Sequence, residues 1–277
     1  MAEIETLVDD VYSLFDPSKT HIPDEDNLNE FAETLKSILR SRLAGRESLS
    51  NPLRFSALGK PDRQLWYMAQ GTPSEELRPQ TYFKFLYGDV IEALVLFLCK
   101  ESGHEVTRQQ ETIEAEGVEG HIDAIIDGHV VDVKSASPFG YKKFKEGTFV
   151  DNDPFGYIPQ LSGYCSVLTP GEGGYFLAFD KVGGDLCLAQ LSSSIVKDNP
   201  PEPRIRHLKD VISNPIPPAR CYVDEEDGKS GNRKLGTECS YCAYKHTCWP
   251  NLRTFLYANG PRYLTNVAKT PDVFELR

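Results

Sequence analysis

The stretch from Glu119 to Ser135, EGHIDAIIDGHVVDVKS, limits the fold more than any other part of the chain. Asp127-Gly128 suits a two-residue type I′ hairpin turn, because both residues tolerate positive φ. The turn sets a register in which Ile126 faces His129, Asp123 faces Asp132 and His121 faces Lys134. Side chains alternate between the faces of a strand. Ile122, Ala124, Ile126, Val131 and Val133 therefore make one apolar face that belongs in a core, while His121, Asp123, Asp132 and Lys134 share the other. Two carboxylates directly opposite one another repel, so this hairpin calls for positive charge between them. Lys134 supplies part of it, and a divalent cation can supply more. Solvated charges on a half-exposed hairpin are the ordinary reading of an isolated Asp-x-Lys. The shared face over an unbroken apolar one favours a hard-metal site: oxygen ligands for magnesium or manganese, with a lysine beside a reacting phosphate.

A third acid stands on a different element. Residues 81–102 are mostly apolar and read as a long helix crossing the middle of the fold, with Glu92 on a largely apolar face made by Phe85, Gly88, Asp89, Val95, Leu96 and Cys99. A carboxylate buried without a partner is costly. Gly88, one turn earlier, opens space beside Glu92, so a metal or a basic group is expected there; a core glutamate paired to an arginine is the competing reading. Residues 3–15 and 27–44 read as two amphipathic helices that carry no chemistry, and 104–113 as a strand leading to the hairpin. Asp153-Pro154 resembles a helix start, and the helix 155–168 places Gln160 and Tyr164 one turn apart on one face. Residues 174–180 and 185–191 read as a second hairpin, and 204–213 as a short helix. Helix, strand, hairpin, helix and strands in that order give an α/β domain with a mixed sheet.

The net charge of −11 argues at first against nucleic acid. Residues 1–35, however, hold ten acidic residues against one lysine, which leaves the rest of the chain close to neutral. Such a body can carry a local basic groove. Basic and aromatic residues interleave in Leu53–Met68, around Arg63, and again in the run YKKFK with Lys142, Lys143 and Lys145. Both patterns suit phosphate contacts and base stacking, and the first suits a structural turn equally well. The longest apolar run, Ala93 to Cys99, has seven residues, short of the roughly 18 of a membrane span. The acidic N-terminus lacks the basic start and apolar core of an export signal. A cytoplasmic protein, with reduced thiols or metal-bound cysteines rather than disulfides, is expected from these features.

Of the seven cysteines, Cys239, Cys242 and Cys248 have the spacing C-x2-C-x5-C, in which two thiolates reach one centre. Cys221, with seventeen residues between it and Cys239, is the nearest candidate for a fourth ligand, with Cys99 the alternative. Zinc and a 4Fe–4S cluster fit four sulfurs equally on ligand chemistry. Cys165 and Cys187 sit in apolar segments and read as core thiols. The tail around the cluster is so polar that metal binding is expected to supply much of its folding free energy.

Taken together these motifs resemble those of PD-(D/E)xK nucleases of the RecB-like exonuclease group. Gly88-x-x-x-Glu92 resembles the first motif of that family. Gly120-His121-Ile122-Asp123 resembles its G-x-x-D motif, Asp132-Val133-Lys134 its D/E-x-K motif and Gln160-x-x-x-Tyr164 its Q-x-x-x-Y motif. Cys239-x2-Cys242-x5-Cys248, followed by Trp249-Pro250, resembles the C-terminal iron–sulphur staple of AddB-like and CRISPR-adaptation nucleases, which favours 4Fe–4S over zinc. Those nucleases place a first cluster cysteine before the core; the matching segment here, Lys60-Pro61-Asp62-Arg63, has none.

The resemblance implies a restriction-endonuclease-like α/β core with a mixed central sheet flanked by helices. Residues 1–50 would be an acidic helical region, 51–215 the nuclease core and 216–277 a cysteine-cluster tail packed on it. It implies a DNA exonuclease of phage or bacterial recombination and repair, acting on single-stranded DNA or double-stranded ends. Glu92, Asp123, Asp132 and the Val133 carbonyl would hold Mg²⁺ or Mn²⁺, and Lys134 would orient water or stabilise the transition state. Gln160 and Tyr164 would contact DNA or Lys134, while Arg63, Lys142, Lys143 and Lys145 would follow the phosphates. Recombination or replication proteins are the partners expected for the acidic N-terminal helices. A nuclease fold that binds nucleic acid without cutting it is the rival reading, and the complete set of acids and lysine speaks against it.

Overall fold

The computed structural model describes residues 2–44 and 53–276. The boundary expected at residues 50 and 51 lies outside the described residues. In chain order the helices are α1 (Leu7–Ser13), α2 (Glu25–Leu43), α3 (Asp62–Ala69), α4 (Pro79–Glu101), α5 (Pro138–Lys145), α6 (Tyr157–Leu168), α7 (Ser193–Asp198), α8 (Pro201–Ser213), α9 (Thr237–Ser240) and α10 (Lys245–Cys248). The strands are β1 (Val106–Thr107), β2 (Thr112–Ala115), β3 (Val118–His121), β4 (Ala124–Ile126), β5 (His129–Ala136), β6 (Gly174–Asp180), β7 (Leu186–Leu191), β8 (Glu225–Glu226), β9 (Arg233–Lys234), β10 (Arg253–Tyr257), β11 (Gly260–Asn266) and β12 (Phe274–Leu276). Two compact units divide them. One comprises Met1–Gly59 and Leu77–Ile205, the other Lys60–Glu76 and Arg206–Arg277. The sequence boundary at 215/216 cuts across this division, because α3 joins the C-terminal segment.

The first unit is a mixed sheet in the order β1-β4-β5-β6-β7, with β5 and β6 parallel and the other pairs antiparallel. This is the α/β architecture expected, with helices over both faces. On one face Ala124, Ile126, Val131 and Val133 meet Ile91, Val95, Leu96 and Cys99 of α4, and Ile4, Leu7 and Val11 from the start of the chain. Leu7 and Val11 stand one turn apart, which is why so acidic a helix still buries an apolar stripe. Cys99 is fully buried among these residues and packs as an apolar side chain. Across the other face, Phe176 of β6 is walled in by Phe144 and Phe149 at ring distances of 5.4 and 5.3 Å, and by Tyr157 at 6.4 Å. This aromatic layer matters for the site, because Phe176 is the parallel-register partner of Asp132.

Helix α2 starts at an Asp24 cap, whose carboxylate accepts from the backbone N–H groups of Asp26 and Asn27. It buries no residue of its own. Polar ties hold it to α4: Lys100 donates to Glu30 at 2.7 Å, Asn27 to Glu101 at 2.8 Å and Arg42 pairs with Asp89. Phe31 stacks on Phe97 at 5.0 Å.

The second unit carries a sheet of its own beside the cysteines. Its strands form a five-stranded antiparallel sheet in the order β12-β10-β11-β9-β8. Phe255 and Leu264 are fully buried, with Leu235 and Tyr244 nearly so. Segment 60–76 is tied in by Glu75, whose N–H donates to the Ala243 carbonyl at 2.8 Å and whose carboxylate pairs with buried Lys245. Tyr67 of α3 stacks on Tyr244 at 5.5 Å. Burial of these side chains, about 1.5–3 kcal/mol for each large one, supports this unit.

Candidate active site

Asp127 and Gly128 both take positive φ, 49° and 83°, and Ile126 pairs with His129 as the turn requires. The ladder then stops at Ala124 opposite Val131. Beyond it the chain leaves β5, and β3 pairs with β2 instead, with His121 opposite Thr112. His121 therefore does not face Lys134; it is exposed on another sheet. Where the next rung would fall, the Asp123 side chain takes over: its Oδ2 accepts from the Val133 N–H at 2.7 Å. In a strand the N–H and C=O of one residue point to the same side. Ending β4 early thus leaves the Val133 carbonyl past the last β4 rung, on the side of Asp123.

The acidic face is not solvated as a simple hairpin would be. Ile125 and Val130 share it and are buried, and Asp132 is 1% exposed. Burial, first of all, then the charges of Asp132 and Glu92, push the Asp123 carboxyl well above its usual range. Burial likewise raises Asp132, against the pull of Lys134. Glu92, brought in by α4, is pushed up to about 7 by burial and by Asp132 and Asp89. Three acids from a helix and two strand segments thus share one field.

Lys134 forms an ion pair with Asp132, and its Nζ lies 4.7 Å from the centre of the Tyr157 ring. Burial works against its charge, but Asp132 and Asp123 outweigh burial and raise its pKa. Gln160 reaches Asp132 Oδ1 at 3.4 Å and the Tyr164 hydroxyl at 3.3 Å. Tyr164 stacks on Phe55 at 5.4 Å. Glu92 Oε1 accepts from Gln110 Nε2 at 2.6 Å. A groove of about 550 Å³ between α2 and α4 reaches Glu92, with Arg42, Asp89, Lys100 and Gln110 among its walls.

Sequence reasoning missed Tyr157 and Gln110. Tyr157 opens α6 one turn before Gln160, and could have been read from that spacing. Gln110 sits in a loop with no turn-type signature. Among the basic residues, Lys142, Lys143 and Lys145 lie on α5, which leaves β5 four residues after Lys134. Lys142 pairs with Glu146, while Lys143 lies over Phe139 and Lys145 over Tyr141. Arg63 belongs to the second unit, where its guanidinium bonds the Pro218 carbonyl and the Tyr67 hydroxyl.

As chemistry, the oxygen donors of Glu92, Asp123, Asp132 and Val133 fit a hard divalent cation. As geometry, no group of three His, Cys, Asp or Glu side chains among the described residues is arranged to hold a metal. Each acid is instead drawn to a protein partner: Gln110, the Val133 N–H or Lys134. In the second unit Cys221, Cys239, Cys242 and Cys248 line one cavity of about 30 Å³ with Tyr67 and Trp249. Burial, then Cys242, Cys248 and Cys221, push the Cys239 thiol up to about 11. The four cysteines thus line a common cavity. Cys165 is buried and Cys187 half-buried.

The two motif glycines differ in kind. A Cβ on Gly120 would lie 2.6 Å from Phe55 and 2.8 Å from Tyr164, so only glycine lets that stacked pair sit against β3. A Cβ on Gly88 would meet only Ser135 Oγ, at 3.4 Å. Gly120→Ala is expected to cost about 1–3 kcal/mol by overpacking and to displace Tyr164. Gly88→Ala is expected to be neutral, or stabilising by up to about 1 kcal/mol through helix propensity. Thermal unfolding of the two variants side by side checks this, and equal losses would contradict it.

No protein-family profile matches the sequence, and no curated protein matches it. Among solved structures the chain is similar to SSO0001, with 17% identity, a TM-score of 0.44 and coverage of 80% of this chain and 96% of that one. It is similar to an alkaline exonuclease from Laribacter hongkongensis, at 13% identity and a TM-score of 0.39, over 64% of this chain and 94% of that one. A phage related exonuclease from Haemophilus somnus 129PT gives 14% identity and a TM-score of 0.40, over 58% of this chain and 90% of that one. At these values the likeness carries no chemical argument, and the reading of the site rests on its own residues. No helix among the described residues is long and apolar enough to cross a membrane.

Proposed function

We propose that this chain is a divalent-metal-dependent nuclease of the PD-(D/E)xK, RecB-like kind, hydrolysing DNA phosphodiester bonds from an end. The observation that carries this reading is the buried cluster of Glu92, Asp123 and Asp132 around Lys134, in which Lys134 pairs with Asp132 and the Asp132 charge raises the carboxyls of both Glu92 and Asp123. Glu92, Asp123, Asp132 and the Val133 carbonyl would hold Mg²⁺ or Mn²⁺, which when bound lowers the pKa of a water and neutralises phosphate charge. Lys134 keeps its proton and offers a fixed positive charge to a phosphate oxygen, with the Tyr157 face fixing its direction. Gln160 orients Asp132 and meets the Tyr164 hydroxyl. The lysines of α5 supply contacts to the strand's phosphates, which position without reading sequence.

Cleavage of end-labelled single- and double-stranded DNA, with Mg²⁺, Mn²⁺ or chelator, tests the reading. Metal-dependent products that an Asp132→Asn preparation does not give are expected. Binding without cleavage in every metal would leave a silent nucleic-acid-binding module in its place.

The four cysteines would hold a structural centre that takes no part in the reaction. The ending C-x2-C-x5-C-Trp-Pro supports a 4Fe–4S cluster, while four sulfurs suit zinc equally on ligand chemistry. Cys221→Ser is expected to lower metal content and the thermal midpoint together, while Cys165→Ser leaves metal content intact. Brown, anaerobically purified protein absorbing near ~400 nm would mark iron–sulphur ligation, and one equivalent of zinc in colourless protein would mark zinc. Full occupancy in the Cys221 variant would remove Cys221 from the centre.

A further inference from the structure

The loop from Arg108 to Glu111, between β1 and β2, is built at a cost. Arg108 and Gln110 both have φ of 52°, in the left-handed region that glycine fills freely and longer side chains do not. Such a conformation is strained for a residue with a side chain and persists only where surrounding contacts impose it. The contacts here are specific. Arg108 forks onto Glu111, with Nη2 at 2.7 Å from Oε1, and the Glu111 carbonyl accepts from the Ile122 N–H at 3.1 Å. The Gln110 N–H reaches the Asp123 carbonyl at 3.3 Å, and the Gln110 amide donates to Glu92 Oε1 at 2.6 Å. One strained residue therefore touches two of the three acids that come from different elements.

A loop needing only its backbone turn would be served by glycine or asparagine at position 110. Neither offers a donor that reaches as far as glutamine's. The side chain is exposed at the rim of the groove between α2 and α4, so the position is not held by packing.

We propose that Gln110 is a positioning residue for Glu92. By fixing Oε1 it removes the rotational freedom of that carboxylate and leaves Oε2 as the one oxygen available to a cation. The role rests on the nuclease reading, since it gives Glu92 its orientation toward the ion that Asp123 and Asp132 would share. It predicts a change in metal affinity rather than in folding, because partners that orient a ligand typically alter metal affinity by tenfold or more.

The test uses the full chain and Mn²⁺ alone, followed by calorimetry, with thermal unfolding of the metal-free protein as the second readout. Gln110→Gly keeps the left-handed backbone without strain and deletes the amide. It should weaken Mn²⁺ binding about tenfold while leaving the metal-free thermal midpoint unchanged or higher. Cleavage should then need proportionally more Mn²⁺ and recover when Mn²⁺ is raised. Gln110→Asn, which tolerates the backbone but is one methylene shorter, should fall between the two. Unchanged Mn²⁺ affinity in Gln110→Gly, with wild-type protein binding the ion, overturns the positioning role alone. A thermal midpoint that falls in step with affinity assigns Gln110 to loop structure and also overturns it. Wild-type protein that neither binds Mn²⁺ nor cleaves DNA overturns the nuclease reading, and this role with it.

Discussion

Lys134→Ala is expected to lower the rate of DNA cleavage by at least about two orders of magnitude, the scale on which removal of one transition-state stabiliser is felt. The side chain is only 17% exposed, is paired with Asp132 and lies on the Tyr157 face. Its charge is thus preorganised rather than recruited during the reaction. Removing it also strips a buried carboxylate of its partner, a change that can cost about 3–5 kcal/mol when the remaining charge is left uncompensated. Rates should therefore be compared at saturating Mn²⁺, where the ion restores the charge balance and the variant can be shown to be folded. Lys134→Arg separates the two effects. It keeps a cation for Asp132, so stability should largely return, but the planar fork does not reproduce a compact ammonium, so the rate should stay low. Turnover near the wild-type value in folded Lys134→Ala would exclude the lysine from the chemistry.

Much of this site was legible because a single turn controls it. Asp127-Gly128 carries enough conformational information to set Ile126 against His129, and alternation alone then sends the apolar residues to one face. What the alternation could not reveal was where pairing ends. Nothing in the residues from Glu119 to Asp123 announces that β4 stops at Ala124, yet that stop moves His121 away and gives Asp123 the Val133 N–H. The strand read over 104–113 is really two, β1 and β2, broken at Arg108 and Gln110. Arginine and glutamine have no turn preference, so tertiary contacts impose that break. Asp153 does not directly precede its helix: α6 begins after Gly156 in the left-handed region, and Asp153 reaches back to the Ile158 N–H at 2.7 Å. The sheet of the second unit was missed for two reasons. β8 and β9 are two-residue strands of charged residues, below any periodicity. For β10 and β11 a signal existed in Asn259-Gly260, although the chain turns one residue earlier, on Ala258-Asn259, with Tyr257 paired to Gly260. The polar sequence around the cysteines concealed it.

Asp123→Asn is expected to abolish metal binding and cleavage while leaving the metal-free protein as stable as the wild type, or more so. The sign follows from the direction of the shifts. Asp123 and Asp132 are raised above the usual aspartate range, and Glu92 is raised to about 7. Between the ordinary carboxylate range near ~4 and about pH 7, the folded chain holds protons that the unfolded chain has released. Stability of the metal-free protein therefore falls as pH rises through that window, and the contribution of Asp123 continues to fall as its own raised carboxyl ionises. Asparagine removes the contribution of Asp123 without removing its structural bond, since the amide oxygen still accepts from the Val133 N–H. The variant should unfold at an equal or higher temperature than wild type at pH 8, and the two should converge toward pH 4. Mn²⁺ binds only the folded wild-type site, so it should raise the wild-type midpoint at pH 8 by mass action and leave that of the variant unmoved. An equal rise in both proteins would remove Asp123 from the metal site. A lower metal-free midpoint for the variant at pH 8 would show that the acids do not oppose one another in the folded chain, which the cation-binding argument requires.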